Sequence, residues 1–381
     1  MKARKRKILQ VSIGLDVGGV EEVLRLMTAS VNRQRYEFTV CTFDAGRVAQ
    51  QIAADGHGVE ILETGNSTGL ARQWRKMRGL VDAVAKWRPA IVHNHNCMQL
   101  AGVLLLKRWF PVVPRTILSV HQFAPWTGWR GWLYGRWVSA HDLVLPVSHP
   151  AKEWLVERYD VDPRKIVVHH NTVEDRPFYE DKTEARRLLG IPPDAFLVTT
   201  VGRLVDNKHV DLLIQTVARL HRQIPRIQLI IAGKGPETEF LQREIERLKA
   251  GEFIRIEGYV ENLPTVYRAG DVHVSMGSAE TFSLVTLEAM SQASAAIACV
   301  PNGVSDVIEE ERTGYLIPAR NVEALADRLL RLAITDGLAE AMGRAGRERY
   351  LNHFHISRNA ERLERIYAKM LGDEPPGSFV A

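Results

Sequence analysis

The sequence predicts an α/β protein built from two successive doubly wound halves. Strand-like apolar runs alternate with amphipathic stretches of helical period, the pattern of βαβ units and parallel sheets. The alternation gives way to a polar, aperiodic stretch at 171–182 that contains Pro177, and then restarts. A length of 381 residues also exceeds one typical core and points to two domains. The expected boundaries are a first domain at 1–172, a second at 173–356, a closing helix at 357–371 and a flexible tail at 372–381 rich in Gly and Pro.

In the first half, compact runs of Ile, Val, Leu and Phe place strands at 7–13, 38–43, 59–62, 90–93, 115–120 and 143–147, with a further short run at 166–169. Apolar residues at helical spacing place helices between them at 20–32, 46–55, 71–87, 99–109 and 150–159. After the linker, strands are expected at 197–201, 227–232, 254–257, 271–276 and 295–299. The helices of this half are expected at 210–223, 237–248, 263–269, from Phe282 or Ser283 onward, then at 303–309, 322–335 and 338–352.

Composition is that of a globular protein, 45% hydrophobic and 25% charged. No apolar run approaches the roughly 18 to 20 residues that a spanning helix needs; the run at 101–106 ends at Lys107-Arg108. The basic start Met1-Lys-Ala-Arg-Lys-Arg-Lys7 leads into an apolar run too short for a signal peptide. Cys41, Cys97 and Cys299 lie far apart without CxxC spacing, which predicts a reduced, cytoplasmic chain with no thiolate metal site. The net charge of +5 hides an asymmetry, because residues 1–170 hold 24 Lys+Arg against 14 Asp+Glu. The first half should therefore meet something anionic: nucleic acid, anionic lipid or a phosphorylated substrate.

The most informative motif is Glu280-Thr-Phe-Ser-Leu-Val-Thr-Leu-Glu288. It follows a strand-like run and the turn Gly277-Ser278-Ala279, so Glu280 should stand just outside a helix N-terminus and Glu288 within its first two turns. The backbone N–H groups of that first turn lack intrahelical acceptors and favour an anion. A sugar nucleotide has the matching layout, with sugar hydroxyls at one end, ribose hydroxyls at the other and a pyrophosphate between. The plain alternative is two solvent-facing glutamates on an ordinary helix.

Three further motifs stand at predicted strand ends, where open α/β sheets bind ligands. Val201-Gly-Arg-Leu-Val-Asp-Asn-Lys208 offers Arg203 and Lys208, a planar fork and a mobile point charge that could converge on phosphate. In Leu229-Ile-Ile-Ala-Gly-Lys-Gly-Pro236 the glycines permit close backbone approach. Gly18-Gly19 precedes the first helix, without the GxGxxG spacing of a dinucleotide site. His93 and His95 share a strand face, as metal ligands could, but no carboxylate or cysteine stands nearby in sequence; His121 lies at the same sheet edge as Gly19. Finally, Trp126, Trp129, Trp132, Leu133, Arg136 and Trp137 recur at three- and four-residue spacing. They read either as one face of an interfacial helix docking on anionic membrane or as core residues, and Gly128, Gly131 and Gly135 weaken the helix.

Together these motifs resemble the family-4 glycosyltransferases, densely from Leu197 to Pro318 and more thinly through Gly18-Gly19, Ile91-Val-His-Asn-His95, His121, Val147-Ser148 and Asn171. The resemblance implies the GT-B fold, two Rossmann-like domains facing across a cleft, with the first binding acceptor, the second binding donor and the last helix crossing back to the first. It implies a retaining enzyme that moves a hexosyl group from a nucleotide diphosphate sugar to a glycan or lipid-linked acceptor. No metal, cofactor or nucleic acid is implied. Glu280 would contact sugar hydroxyls and Glu288 the ribose, Arg203 and Lys208 the diphosphate, with backbone amides around Phe282, Ser283 and Leu284 completing its cradle. His121 would lie beside the transferred sugar, Gly19 would leave room at the cleft, and backbone from Gly258 to Val260 would meet the base. Departures cluster at the donor loops: Ser294-Ala295-Ala296 replaces a common Gly-x-Pro, Asn302-Gly303 and Asp306 replace a GG pair and Glu, and Thr281 and Ser283 replace frequent glycines. A same-fold epimerase or phosphorylase, and a non-catalytic nucleic-acid-binding module using the basic, tryptophan-rich half, are the competing readings.

Overall fold

A computed structural model describes residues 5–16, 18–62, 68–95, 97–107, 114–176, 178 and 181–373. Pro177, residues 108 and 109 of the expected helix 99–109, and tail positions 374–381 lie outside these. Contacts divide the chain into two compact units, 1–172 with 356–381, and 173–355.

The first unit contains β1 (Arg6–Ser12), α1 (Gly19–Ser30), β2 (Tyr36–Thr42), α2 (Arg47–Ala54), β3 (Gly58–Ile61), α3 (Gly69–Trp87), β4 (Ile91–His95), α4 (Ala101–Lys107), β5 (Arg115–Val120), α5 (Gly128–Ser139), β6 (Leu143–Pro146) and α6 (His149–Tyr159). Its six strands pair in parallel in the order β3-β2-β1-β4-β5-β6. Strand alternation sorts the helices: Val40 packs with Leu24, Val48 and Ile52 of α1 and α2. Its neighbour Cys41 packs instead with Leu80, Ala83 and Val103 of α3 and α4. Leu118 and Val144 of β5 and β6 join Leu104 of α4 and Tyr134 and Trp137 of α5 on that second face.

The second unit contains α7 (Lys182–Leu188), β7 (Phe196–Val201), α8 (Val210–Leu220), β8 (Ile227–Ala232), α9 (Thr238–Arg247), β9 (Ile254–Gly258), α10 (Leu263–Ala269), β10 (Val272–Ser275), α11 (Leu284–Ser291), β11 (Ala295–Val300), β12 (Gly314–Pro318), α12 (Val322–Ile334) and α13 (Leu338–Arg349). Its parallel order, β12-β11-β10-β7-β8-β9, repeats that of the first unit. Each sheet therefore reverses winding beside its first strand, at β1/β4 and at β7/β10. The last helix, α14 (Ile356–Met370), packs on α1 of the first unit, where Asn32 N–H donates to Glu364 Oε1 at 2.8 Å.

Several expectations need correction. The run 166–169 is no strand: Ile166 forms one isolated bridge to Val144, and Val167 N–H donates to the Val144 carbonyl at 3.0 Å. The helix expected at 303–309 is one 3-10 turn, Gly303–Asp306, capped by Asn302. The start of helix 99–109 is likewise a 3-10 turn, Met98–Leu100. Two elements, α7 and β12, add to those that the sequence pattern predicts. Helix α7 buries Ala185 beside Leu197, Val266 and Ala269, and charge also ties it: Asp271 receives Lys182 Nζ at 2.5 Å, Arg186 Nη2 at 2.6 Å and Leu197 N–H at 2.7 Å. Around Trp126 the helix does form, but Trp137 faces the core, leaving Trp129, Trp132, Leu133 and Arg136 exposed.

Candidate active site

In the second unit the chain leaves β7 and β10 side by side, at the carboxyl ends where the strand order reverses. Arg203 and Lys208 follow β7, and Glu280 follows β10. Ser278 N–H donates to the Asn207 carbonyl at 3.3 Å, and His209 Nε2 lies 3.3 Å from Ser278 Oγ, so the two loops are tied. Lys208 Nζ donates to Glu280 Oε1 as an ion pair, and Ser275 Oγ lies 3.5 Å from the same oxygen. Arg203, Lys208 and Ser275 line one recess. The structure thus brings the two expected cations and the first carboxylate together.

The Glu280 loop is held from behind. Gly303 N–H donates to the Glu280 carbonyl at 2.8 Å, and Asn302 Nδ2 to the Gly277 carbonyl at 3.1 Å. A Cβ at Gly277 would lie 2.7 Å from Glu280 Oε1, so a side chain there would displace the Glu280 carboxylate. Asn302, which the sequence marks only as a departure from the family, is therefore a positioning residue. The glycines of the β8 loop also serve the scaffold. A Cβ at Gly233 would lie 1.8 Å from the Gly202 carbonyl oxygen, and one at Gly235 2.0 Å from that of Leu204. The close backbone approach that these glycines permit is that of the Arg203 loop.

Helix α11 starts one residue later than expected. Ser283 stands at its N-cap in the left-handed region, φ +72°, a conformation suited to the glycine common there in the family. Its Oγ lies 2.8 Å from Thr286 Oγ1. Phe282 is buried, with its ring 5.9 Å from that of Phe354, so only its backbone could serve a ligand. Leu284 opens the helix and is half-buried. The N–H groups of this first turn have no intrahelical acceptors, which favours an anion in front of them.

Glu288 lies in the second turn, and its Oε2 accepts from Tyr267 OH at 2.8 Å. Burial first, then the neighbouring Glu288 carboxylate, holds the Tyr267 phenol well above its ordinary value, so it stays a hydrogen-bond donor. Glu288, Tyr267, Arg176, Leu263 and Pro264 line a second recess. Gly258 and Val260, on the loop from β9 into α10, are not among the residues that line this recess; Gly258 has φ +69°, and its carbonyl accepts from Gly233 N–H at 2.7 Å. Tyr267 has no sequence signal that sets it apart from any helical tyrosine.

Gly19 and His121 belong to the first unit, at the start of α1 and just after β5. Gly18 precedes α1, and a Cβ there would lie 2.3 Å from Glu21 Oε2. His121 ends a buried relay: its Nε2 lies 3.0 Å from His95 Nδ1, while His95 Nε2 lies 2.7 Å from Gln10 Oε1. Gln10 Nε2 donates to Tyr367 OH of α14 at 3.3 Å, and that hydroxyl lies 2.8 Å from His93 Nδ1. His93 Nε2 reaches Ser119 Oγ at 2.8 Å. The ring nitrogens of His93 and His95 are thus engaged in a hydrogen-bond network rather than arranged as a metal-ligand pair. Since Gln10 Oε1 can only accept, His95 carries its proton on Nε2, and His121 must donate from its own Nε2.

Burial keeps these rings neutral. It lowers His121, His141 and His169 to about 4, and His273 in the second unit to about 3, with Lys208 adding to the last. His93 and His95 are held well below 6.5 for the same reason. Each ring binds a proton more readily in the unfolded chain, so its neutral burial is undisturbed above about 6.5 and becomes a growing cost as pH falls toward 4. The thermal midpoint should therefore drop steeply between pH 6.5 and about 4.5; a flat profile over that window would contradict the buried network.

Two family models divide the chain between them: Glycosyltransferase Family 4 matches 17–176, and Glycosyl transferases group 1 matches 181–349. The chain belongs to the family-4, group 1 glycosyltransferases. This glycosyltransferase is 26% identical over 340 residues to a D-inositol 3-phosphate glycosyltransferase of Streptomyces bingchenggensis, covering 84% of the chain and 71% of that relative. It is 29% identical over 316 residues to an alpha-maltose-1-phosphate synthase of Mycolicibacterium smegmatis, covering 74% of the chain and 79% of the relative. Among solved structures, Anabaena HepE in complex with UDP matches with a TM-score of 0.83 at 17% identity, over 95% of this glycosyltransferase and 100% of that chain. Sucrose-phosphate synthase from Thermosynechococcus elongatus matches with a TM-score of 0.82 at 20% identity, over 97% and 100%. These structural matches share the GT-B fold.

Proposed function

We propose that this glycosyltransferase moves a hexosyl group from a nucleotide diphosphate sugar to an acceptor hydroxyl with retention of configuration, in the synthesis of a cell-surface polysaccharide or glycolipid. The observation that carries the reading is the succession Arg203, Lys208, Glu280, α11 N-terminus and Glu288 along one sheet edge. Glu280 stands for the sugar end, Arg203, Lys208 and the α11 N-terminus for the diphosphate, and Glu288 for the ribose end. The complex of HepE with UDP supports a nucleotide donor. The two relatives named above act on or make sugar or inositol phosphates by name, which fits an anionic acceptor and the 24 Lys+Arg against 14 Asp+Glu of residues 1–170.

The difficult step separates a diphosphate from an oxocarbenium-like sugar. Arg203, Lys208 and the α11 N-terminus stabilise the charge growing on the leaving diphosphate, and Glu280 orients the sugar through its hydroxyls. The acceptor attacks from the face that the diphosphate leaves, and a departing phosphate oxygen takes the acceptor proton. No side chain then has to act as a strong base, consistent with a neutral His121 whose basicity burial lowers to about 4.

Thermal-shift screening against UDP, GDP, ADP and their sugars tests donor binding, since a ligand of the folded state raises the midpoint by mass action. NMR of the product anomer then tests retention; an inverted product overturns it. Consumption of donor only with added phosphate would point to a phosphorylase, and conversion without any acceptor to an epimerase. Turnover should persist in EDTA, because protein cations and backbone dipoles serve the leaving group. Silencing by EDTA with rescue by Mg²⁺ or Mn²⁺ is the opposite result.

A further inference from the structure

The exposed apolar residues of the first unit are concentrated on one sheet face. Crossovers β3→β4, β4→β5 and β5→β6 all step in the same direction across the sheet, which puts α3, α4 and α5 on the face opposite α1 and α2. All three helices begin at the carboxyl edge of the strands. Leu70 and Trp74 of α3 are 83% and 71% exposed, Leu105 of α4 is 67%, and Trp129 and Trp132 of α5 are 69% and 65%. Helices α1 and α2 show no exposed large hydrophobic residue. The same three helices carry eight Lys or Arg and a single acid, Asp82. The guanidinium of Arg130 lies 5.5 Å from the Trp129 ring centre, and that of Arg136 5.8 Å from that of Trp132.

We propose that this face docks on an anionic lipid bilayer. Indoles at the surface prefer the headgroup layer, where the ring is shielded and its N–H stays wet. Arginines stacked on them reach lipid phosphate while covering the ring faces. The charge complementarity selects the occupant: a protein interface core is depleted of charge, whereas on α3, α4 and α5 eight cations are interleaved with the aromatics against one acid, the nearest further acids being Glu153, Glu157 and Asp160 in and beside the neighbouring α6. Each well-placed cation strengthens partitioning to an anionic surface about fivefold, and the indoles add an apolar share that salt does not screen. The surface would bring a soluble enzyme to acceptors presented at a membrane, whichever sugar it moves.

Co-sedimentation of the full chain with vesicles of phosphatidylcholine alone, or with about one third phosphatidylglycerol, tests this at low and high salt. Anionic vesicles should bind at least about tenfold more protein at low salt, with blue-shifted tryptophan fluorescence, and lose most of it at high salt. Trp129→Ser with Trp132→Ser should weaken binding about tenfold with an unchanged thermal midpoint, and Arg130→Gln with Arg136→Gln should remove much of the anionic preference. Equal binding to both vesicles, binding unmoved by these substitutions, or tighter binding to a single-stranded DNA oligomer overturns the proposal. Because vesicle binding requires no turnover, failure here leaves the donor reading standing, and failure of the UDP screen leaves this one.

Discussion

Glu280→Gln is expected to lower kcat by about 10²- to 10³-fold, the usual cost of removing one group that stabilises a transition state. The substitution keeps the size of the side chain but removes the charge that Lys208 pairs with and that sugar hydroxyls would meet. Glu280 sits in a loop whose backbone is held independently by Gly303 N–H, so the fold should survive. Glu288→Ala should behave differently. It takes the acceptor from Tyr267 and removes a carboxylate from the second recess, so it should chiefly raise the Kd for nucleotide. Steady-state kinetics at saturating donor separate the two; near wild-type turnover of Glu280→Gln would sink the assignment of this carboxylate.

Asp271→Ala should be the most destabilising change outside the site, at about 3–5 kcal/mol, because it leaves two partly buried cations without their shared anion. Lys182 and Arg186 side chains are only 25% and 9% exposed, and burial is the main reason the Lys182 ammonium loses protons more readily than usual. The loss also unpins Leu197 N–H, at the start of β7, whose far end carries Arg203. In a unit of this size the thermal midpoint should fall by roughly 10 °C. A midpoint within about 2 °C of wild type would show that α7 is held by packing instead.

The contrast between these two residues shows what the sequence makes legible. Glu280 and Glu288 stand in a motif whose spacing has meaning once a strand precedes it and a helix follows. The alternating runs likewise place most strands and helices, because buried parallel strands and amphipathic helices write their periods into the chain. Asp271, Tyr267 and Asn302 act through partners distant in sequence, and no local period reveals that. Helix α7 escapes the pattern for the same reason: in Lys182-Thr-Glu-Ala-Arg-Arg-Leu188 the one apolar side chain that turns into the core is Ala185, too little for a helical period, and its charged anchor is 85 positions away from Arg186. The run 166–169 misled in the opposite direction, since Val167 and His169 N–H groups do bond along β6 without extending into a full strand.

The first unit is assembled from two stretches of chain, and this orders events at the ribosome. Residues 173–355 emerge whole before α14 does, so the second unit can complete its sheet while the first still waits for its last helix. Until Tyr367 arrives, His93 and Gln10 lack its hydroxyl, and the Tyr36 and Phe38 rings lack the aromatic neighbour that packs against them at 5.7 and 6.2 Å. A chain that stops before α14 would therefore carry one complete half and, in the other, an open groove lined by Tyr36, Phe38, Gln10 and His93. That groove is the surface a chaperone would meet, and a stop codon after residue 355 would leave it open permanently.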